Sequence, residues 1–275
     1  MPDDNDPQTL RAVAGQLATE AAAFVRTRRV EVFGGAPAAG AVRAKSSPTD
    51  PVTVVDTETE RLLRERLAER RPADHVLGEE EGGSAVAAPG VPVWVIDPID
   101  GTVNFVYGIE AYAVSVGVQI DGLSVAGAVV NVATGELYSA AVGHGATVTR
   151  DGVSTALRCN AIDDLSLALL GTGFSYDAGQ RRRQAAVLAA LLPGVRDVRR
   201  IGSCALDLCM VASGRLDAYF EDGVHVWDWA AGALIAAEAG AVLRLPAVTG
   251  DGQDVLVAAA PGVAAALDEA LGQVR

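Results

Sequence analysis

The chain has 275 residues, half of them hydrophobic, with 35 acidic against 22 basic side chains and a formal net charge of −13. That balance disfavours direct binding to nucleic acid or an anionic membrane, which attract clustered Lys and Arg; the one basic cluster, Arg181–Arg183, reads as a solvated helix face. Charged or turn residues break every apolar run before membrane-spanning length, the acidic start MPDDNDP leads into no signal-type segment, and three cysteines without a CxxC pair suit neither a disulfide framework nor zinc, so a cytoplasmic protein with buried thiols is expected.

Asp6 followed by Pro7 is an N-cap and N1 pair, and Leu10, Val13, Leu17, Phe24 and Val25 carry helical spacing to about Phe33, where Gly34–Gly35 stops it. A small-residue loop, Ala36–Gly40, follows. A second helix is predicted from near Thr53 to about Arg70, with Val55, Leu62, Leu63 and Leu67 inward and Asp56 in its first turn. His75–Gly78 and Val91–Ile96 read as strands. Tyr112–Ile120, Leu123–Val132 and Glu136–Val142 read as successive antiparallel strands joined by Asp121–Gly122 and Thr134–Gly135. From Ser166 onward strand and helix alternate: a strand near Leu167–Leu170, helices about Ala178–Leu192 and Ser203–Ser213, a strand Leu216–Phe220, a helix Trp227–Ala239, a strand Val255–Ala259 and a helix to Gln273. Residues 1–150 therefore read as helix plus antiparallel sheet and residues 151–275 as layered α/β. No linker separates them, so one unit of 275 residues with two closely packed halves is expected.

Carboxylates stand at the ends of four elements: Asp56, the pair Glu79–Glu80, the pair Asp97 and Asp100, and Asp228. Single acids at such places are commonly caps or solvated turns, and WVIDPIDGTVNF, Trp94–Phe105, contains the turn dipeptides Asp-Pro and Asp-Gly. Several acids leaving the core together would instead line a cleft with hard oxygen donors, which suit Mg²⁺ or Mn²⁺, whereas zinc calls for imidazole or thiolate. Rival chemistries fit poorly. Cys209 and Arg215 match the spacing of a cysteine phosphatase loop, but the run SCALDLCMVASG has helical apolar spacing, and a thiol in that company is inert. The DxD of an aspartyl-phosphate enzyme is replaced by DxxD, no nucleophile elbow or P-loop occurs, and His75, His144 and His225 are isolated.

The blocks PVTVVDTETERLL at Pro51–Leu63, GEE at Gly78–Glu80, WVIDPIDGTVNF, and VWDWAAGALIAAEAGA at Val226–Ala241 resemble the inositol monophosphatase family, in the right order over nearly the whole chain. The resemblance implies the layered α-β-α-β-α fold shared with fructose-1,6-bisphosphatase, a lithium-sensitive Mg²⁺-dependent phosphatase, and a homodimer. It implies that Glu79, Asp97 and the Ile99 carbonyl bind one metal ion, that Asp97, Asp100 and Asp228 bind a second, and that a third, weaker ion sits near Glu79. It further implies that Thr102, with Asp56 and Glu79, activates the water and that the amides of Gly101 and Thr102 hold the phosphate. Asp100, Ser203, Cys204 and Glu221 would meet the substrate, with Lys45 and Glu80 in support. Departures from the family pattern are Val103, where many members carry a second Thr, Glu81 extending GEE, and Trp229, whose bulk would alter the pocket.

Charge supports the same reading. A phosphate monoester is an anion, and a pocket of carboxylates repels it unless divalent cations reverse the local field. The expected activity is Mg²⁺-dependent hydrolysis of a small polyol phosphate, myo-inositol 1-phosphate first. Alternatives are a fructose-1,6-bisphosphatase, a histidinol phosphatase or a nucleotide 3'-phosphatase of the same fold, or a protein-binding accessory factor of ribosomal RNA transcription.

Overall fold

The computed structural model describes residues 4–34, 40–45, 49–246 and 255–274; the predicted loop at 36–40 falls largely outside them. Helix α1 (Pro7–Phe33) begins as expected, with Asp6 accepting the Thr9 amide at 3.0 Å. A hairpin, β1 (Val42–Ala44) and β2 (Pro51–Thr53), leads into α2 (Val54–Arg70), whose Thr53 cap and third residue Asp56 bond each other's backbone. Then come β3 (His75–Gly78), β4 (Gly82–Gly83), β5 (Val93–Asp100) and the short α3 (Thr102–Tyr107). An antiparallel run follows: β6 (Ala113–Ile120), β7 (Leu123–Asn131), β8 (Leu137–Ala141), β9 (Ala146–Arg150) and β10 (Val153–Ala156). The remaining elements are β11 (Leu169–Thr172), α4 (Ala178–Leu191), β12 (Asp197–Arg199), α5 (Cys204–Ala212), β13 (Ala218–Asp222), α6 (Val226–Glu238), β14 (Val242–Arg244), β15 (Val255–Ala259) and α7 (Pro261–Val274).

Among the described residues the larger sheet has the order β10-β9-β8-β7-β6-β5-β3-β4 and the smaller one β12-β11-β13-β15-β14. Burial shows how they stack. Trp94, Ile96, Val114, Val116 and Val118 face Leu10, Leu17, Leu63 and Leu67 of α1 and α2, while Ala113, Val129 and Tyr138 face Ala205, Ala231 and Ile235 of α5 and α6. On their other side, α5 and α6 bury Leu208 and Trp229 against Tyr219, Leu256 and Ala258 of the smaller sheet. Leu191, Leu267 and Leu271 of α4 and α7 cover its far face. This is the α-β-α-β-α layering, and it explains why β5 is apolar without alternation: both of its faces are covered.

Several expectations need correction. The strand expected to stop at Ile96 runs on to Asp100, and its register against β6 shifts between Asp97 and Asp100, so the Asp-Pro turn is a bulge inside a paired strand. Leu62 is only partly buried. The hairpin β9–β10 was not expected, because ATVTR and VSTA are short and rich in polar residues, with only Ala146 and Val148 of β9 buried and all of β10 exposed; the Asp151–Gly152 corner, with φ of +50° and +77°, was its one strong signal. Edge strands β12 and β14, three residues each, are too short to show a period. No helix among the described residues is long and apolar enough to cross a membrane.

Candidate active site

A cleft of about 460 Å³ opens where β5 ends and α3, α5 and α6 begin. Of the residues to which the resemblance assigns a role in the site, all line it except Asp56 and Glu80, which stand behind its wall. Secondary structure explains how each acid arrives there. Asp56 and Asp228 are both third residues of helices, and each carboxylate turns back to accept its N-cap amide, from Thr53 at 3.0 Å and from His225 at 2.6 Å. Asp97 accepts the Ile99 amide at 3.0 Å across the bulge. Asp100 receives the Ser203 hydroxyl at 2.6 Å and the Ala205 amide at 2.7 Å, so the start of α5 fixes it.

Oxygens of Asp97, Asp100 and Asp228 come within 4.8 Å of one another. Burial, reinforced by Glu79 and the neighbouring aspartates, pushes Asp97 well above the ordinary carboxylate range. Burial followed by Asp100 and Glu79 does the same to Asp228, and Asp100 is raised to about 6, chiefly by burial. Three carboxylates held this close repel one another, and a divalent cation is the partner that relieves the repulsion. The donor set is oxygen-only, as a hard cation requires.

Glu79 lies outside that triad. Its carboxylate accepts from Lys45 Nζ at 2.6 Å, and Lys45 also bonds Glu80. Burial opposes the Lys45 ammonium, but Glu79 and Glu80 outweigh it and raise its pKa. Burial also raises Glu80 to about 7. The Thr102 hydroxyl lies 3.0 Å from Asp56 Oδ1 and 3.1 Å from the Ile99 carbonyl, both acceptors for its proton. Burial is the main cause that lifts Asp56 to about 6. Before Thr102, Gly101 adopts φ +95°, and a side chain there would meet the Ala111 and Gly202 carbonyls at 3.0 Å.

Opposite this cluster, Glu221 accepts the Tyr219 hydroxyl and is raised to about 7, mainly by burial. It sits against Gly173, where a Cβ would fall 1.8 Å from its Oε2. Ser203 gives its proton to Asp100 and also accepts the Leu206 amide at 3.3 Å. Cys204 is buried and its thiol is raised well above the usual value by burial. Cys209 is likewise buried and raised, away from the cleft, as an inert core thiol should be. Tyr176, Arg200 and Trp227 also line the cleft and were not among the expected site residues. They are single side chains on separate segments, and only Trp227, beside Asp228, had a signal nearby.

The match to known proteins is extensive. A profile of the inositol monophosphatase family matches residues 6–274. The chain belongs to the inositol monophosphatase family. It is 67% identical over 276 residues to the "Inositol-1-monophosphatase" of Mycobacterium leprae (strain TN), covering 98% of this chain and 95% of that one. It is 64% identical over 276 residues to the "Inositol-1-monophosphatase SuhB" of Mycobacterium tuberculosis (strain ATCC 25618 / H37Rv), with the same coverage. The solved structure of Mycobacterium tuberculosis SuhB is similar at 57% identity and TM-score 0.85, with 99% of each chain covered.

As a family member the chain is a phosphatase, and its acidic cluster suits the metal dependence of the inositol monophosphatase family. One expected departure from the family pattern dissolves. Trp229 does not shape the pocket: it is 4% exposed and packs with Leu77, Val93 and Leu208 between the sheets, while Trp227 faces the cleft, stacked on His225 at 4.8 Å.

Proposed function

We propose that this protein hydrolyses myo-inositol 1-phosphate to myo-inositol and phosphate in a Mg²⁺-dependent reaction. The observation that carries the reading is the convergence of Asp97, Asp100 and Asp228 within 4.8 Å, beside the Thr102–Asp56 hydrogen bond; the names of the two mycobacterial relatives supply the substrate. Glu79, Asp97 and the Ile99 carbonyl would hold one Mg²⁺, and Asp97, Asp100 and Asp228 a second. A third would lie near Glu79, and Mn²⁺ suits the same oxygens. When bound, the ions reverse the pocket's charge, acidify the attacking water and stabilise the departing alkoxide.

The chain's own residues do the rest. Thr102, giving its proton to Asp56, leaves a lone pair toward the cleft to orient the water, and Asp56, lifted to about 6, takes up a proton close to neutral pH. Glu79 assists from the other side. Backbone amides of Gly101 and Thr102 hold the phosphate, where the absence of a side chain at Gly101 lets the backbone come close. Asp100 and Glu221 accept hydroxyls of the leaving alcohol, with Ser203 and Cys204 forming the floor between them. Lys45 and Glu80 keep Glu79 in place. On this reading the enzyme works in the cytoplasm as a homodimer; within each chain, taken as one unit, residues 1–150 supply most of the ligands and residues 151–275 supply Asp228 and the alcohol wall.

A panel of myo-inositol 1-phosphate, fructose 1,6-bisphosphate, histidinol phosphate and a nucleoside 3',5'-bisphosphate, with and without Mg²⁺, ranks the substrates by phosphate release. The inositol ester should lead. Silence on the whole panel would turn the account toward an accessory role in transcription through protein contacts.

A further inference from the structure

Glu60 lies within the Pro51–Leu63 block but has no assigned role in the site, yet it is completely buried beneath the loop that carries Glu79. It follows Asp56 by one helical turn, on the same face of α2. Its two oxygens accept the next two backbone amides of the loop: Oε2 takes the Glu80 N–H at 2.7 Å and Oε1 the Glu81 N–H at 2.9 Å. Arg64, another turn along, closes the arrangement, 2.8 Å from Glu60 Oε1 and donating to the Gly82 carbonyl at 2.5 Å. Gly78 makes room for it, since a Cβ there would lie 2.3 Å from Glu60 Oε1.

A buried carboxylate is tolerated only when it is paired and hydrogen-bonded, and this one is both. Its bonds run to the backbone of the Glu79–Glu81 turn and not to the acidic side chains, so the Glu79 and Glu80 carboxylates stay free to point at Lys45 and the cleft. One helix thus sets two parts of the site: Asp56 through its own side chain, and Glu79 through the backbone that Glu60 grips. A Gln at position 60 keeps the shape but offers one acceptor oxygen in place of two, which leaves one amide of the turn facing an NH₂ group.

We propose that Glu60, braced by Arg64, is a positioning residue that sets divalent-cation affinity by fixing the Glu79 turn. It touches neither substrate nor ion. The inference rests on the reading of Glu79 as a metal ligand.

The test is calorimetric titration of the metal-free, full-length protein with MgCl₂, for the parent and for Glu60→Gln, Arg64→Gln and Glu79→Gln. Phosphate release from myo-inositol 1-phosphate is measured against Mg²⁺ concentration on the same preparations. Glu60→Gln should weaken Mg²⁺ binding about 10- to 100-fold, the range for groups that hold a metal ligand from behind. Its half-saturating Mg²⁺ should rise by the same factor while kcat at saturating Mg²⁺ recovers. Arg64→Gln should move both in the same direction by less, and it decides the matter if Glu60→Gln does not fold. Parental Mg²⁺ affinity in the folded variants overturns the proposal, as does a kcat loss that added Mg²⁺ leaves in place. A purely structural brace would lower the melting temperature and leave affinity untouched. If Glu79→Gln also binds Mg²⁺ like the parent, the ligand reading fails, and with it the basis of the proposal.

Discussion

On one wall of the cleft, Asp97 is 1% exposed and Asp100 9% exposed, each fixed by backbone amides or a neighbouring hydroxyl, with Asp56 and Thr102 locked together behind them. On the other wall, Tyr176 is half-buried in a loop and Arg200 is exposed with no ion-pair partner among the described residues, while Glu221 is held by Tyr219 and Trp227 stacks on His225. The first wall is made of strand ends and helix starts, whose backbone sets the side-chain positions. The second also carries Tyr176 and Arg200, which lie outside strands and helices and can be exchanged without disturbing one. Under the proposed assignment, a fixed wall of metal and phosphate ligands faces a replaceable alcohol wall, a division that would let one chemistry serve many alcohols on one fold.

Substitutions should therefore differ in kind between the walls. The largest effect is expected from Asp97→Asn, which removes the oxygen assigned to both ions: kcat/KM for every substrate should fall about 10³-fold or more, several kcal/mol of charge stabilisation. The same variant should melt no lower than the parent without metal, because a buried like charge has gone. Phosphate release and thermal melts check both halves, and parental turnover removes Asp97 from the ligand set. Thr102→Ala should lower kcat about 10²-fold at saturating Mg²⁺, the usual weight of a proton-handling group. A rise in the Mg²⁺ requirement in place of a kcat loss would move Thr102 from water to metal. Glu221→Gln should cost about tenfold in kcat/KM for the inositol ester and almost nothing for phenyl phosphate, whose leaving group has no further hydroxyls. Equal losses on both would mean that the walls are not independent.

A smaller effect appears in stability against pH. Asp56 and Asp100 are raised to about 6, and Glu80 and Glu221 to about 7, each chiefly by burial. Unfolded carboxylates titrate near 4, so between these limits the folded chain binds more protons than the unfolded one. That contribution is complete below about pH 4 and is lost as pH rises through about 6 to 7. Metal-free protein should then melt a few degrees higher at pH 5 than at pH 8, and Mg²⁺ should narrow the gap by stabilising the charged form. A higher melting temperature at pH 8 under chelation contradicts the shifts.

The same contrast decided what could be read from the chain. Helix starts are legible from apolar spacing, so Asp56 and Asp228 were placed in first turns, and β5 by its apolar run. The layered fold followed from the resemblance, and the structure bears it out. The bulge that turns Asp97 and Asp100 to one side was not legible, because DPID also spells a turn. Glu60 was hidden for another reason: on a helix a charged residue with i, i+4 arginine company reads as solvated, and only the loop packed over it shows that it is buried. Trp229 was misplaced because adjacency to Asp228 in sequence says little on a helix, where the next residue points about 100° away.

The central claim is that the acidic triad works by holding divalent cations against an anionic ester. Its most direct test is phosphate release from myo-inositol 1-phosphate by chelated enzyme, followed by stepwise return of Mg²⁺. The account predicts no release above background under chelation and full recovery on Mg²⁺ addition, with no recovery in Asp97→Asn. Release that persists in the chelated enzyme would contradict it.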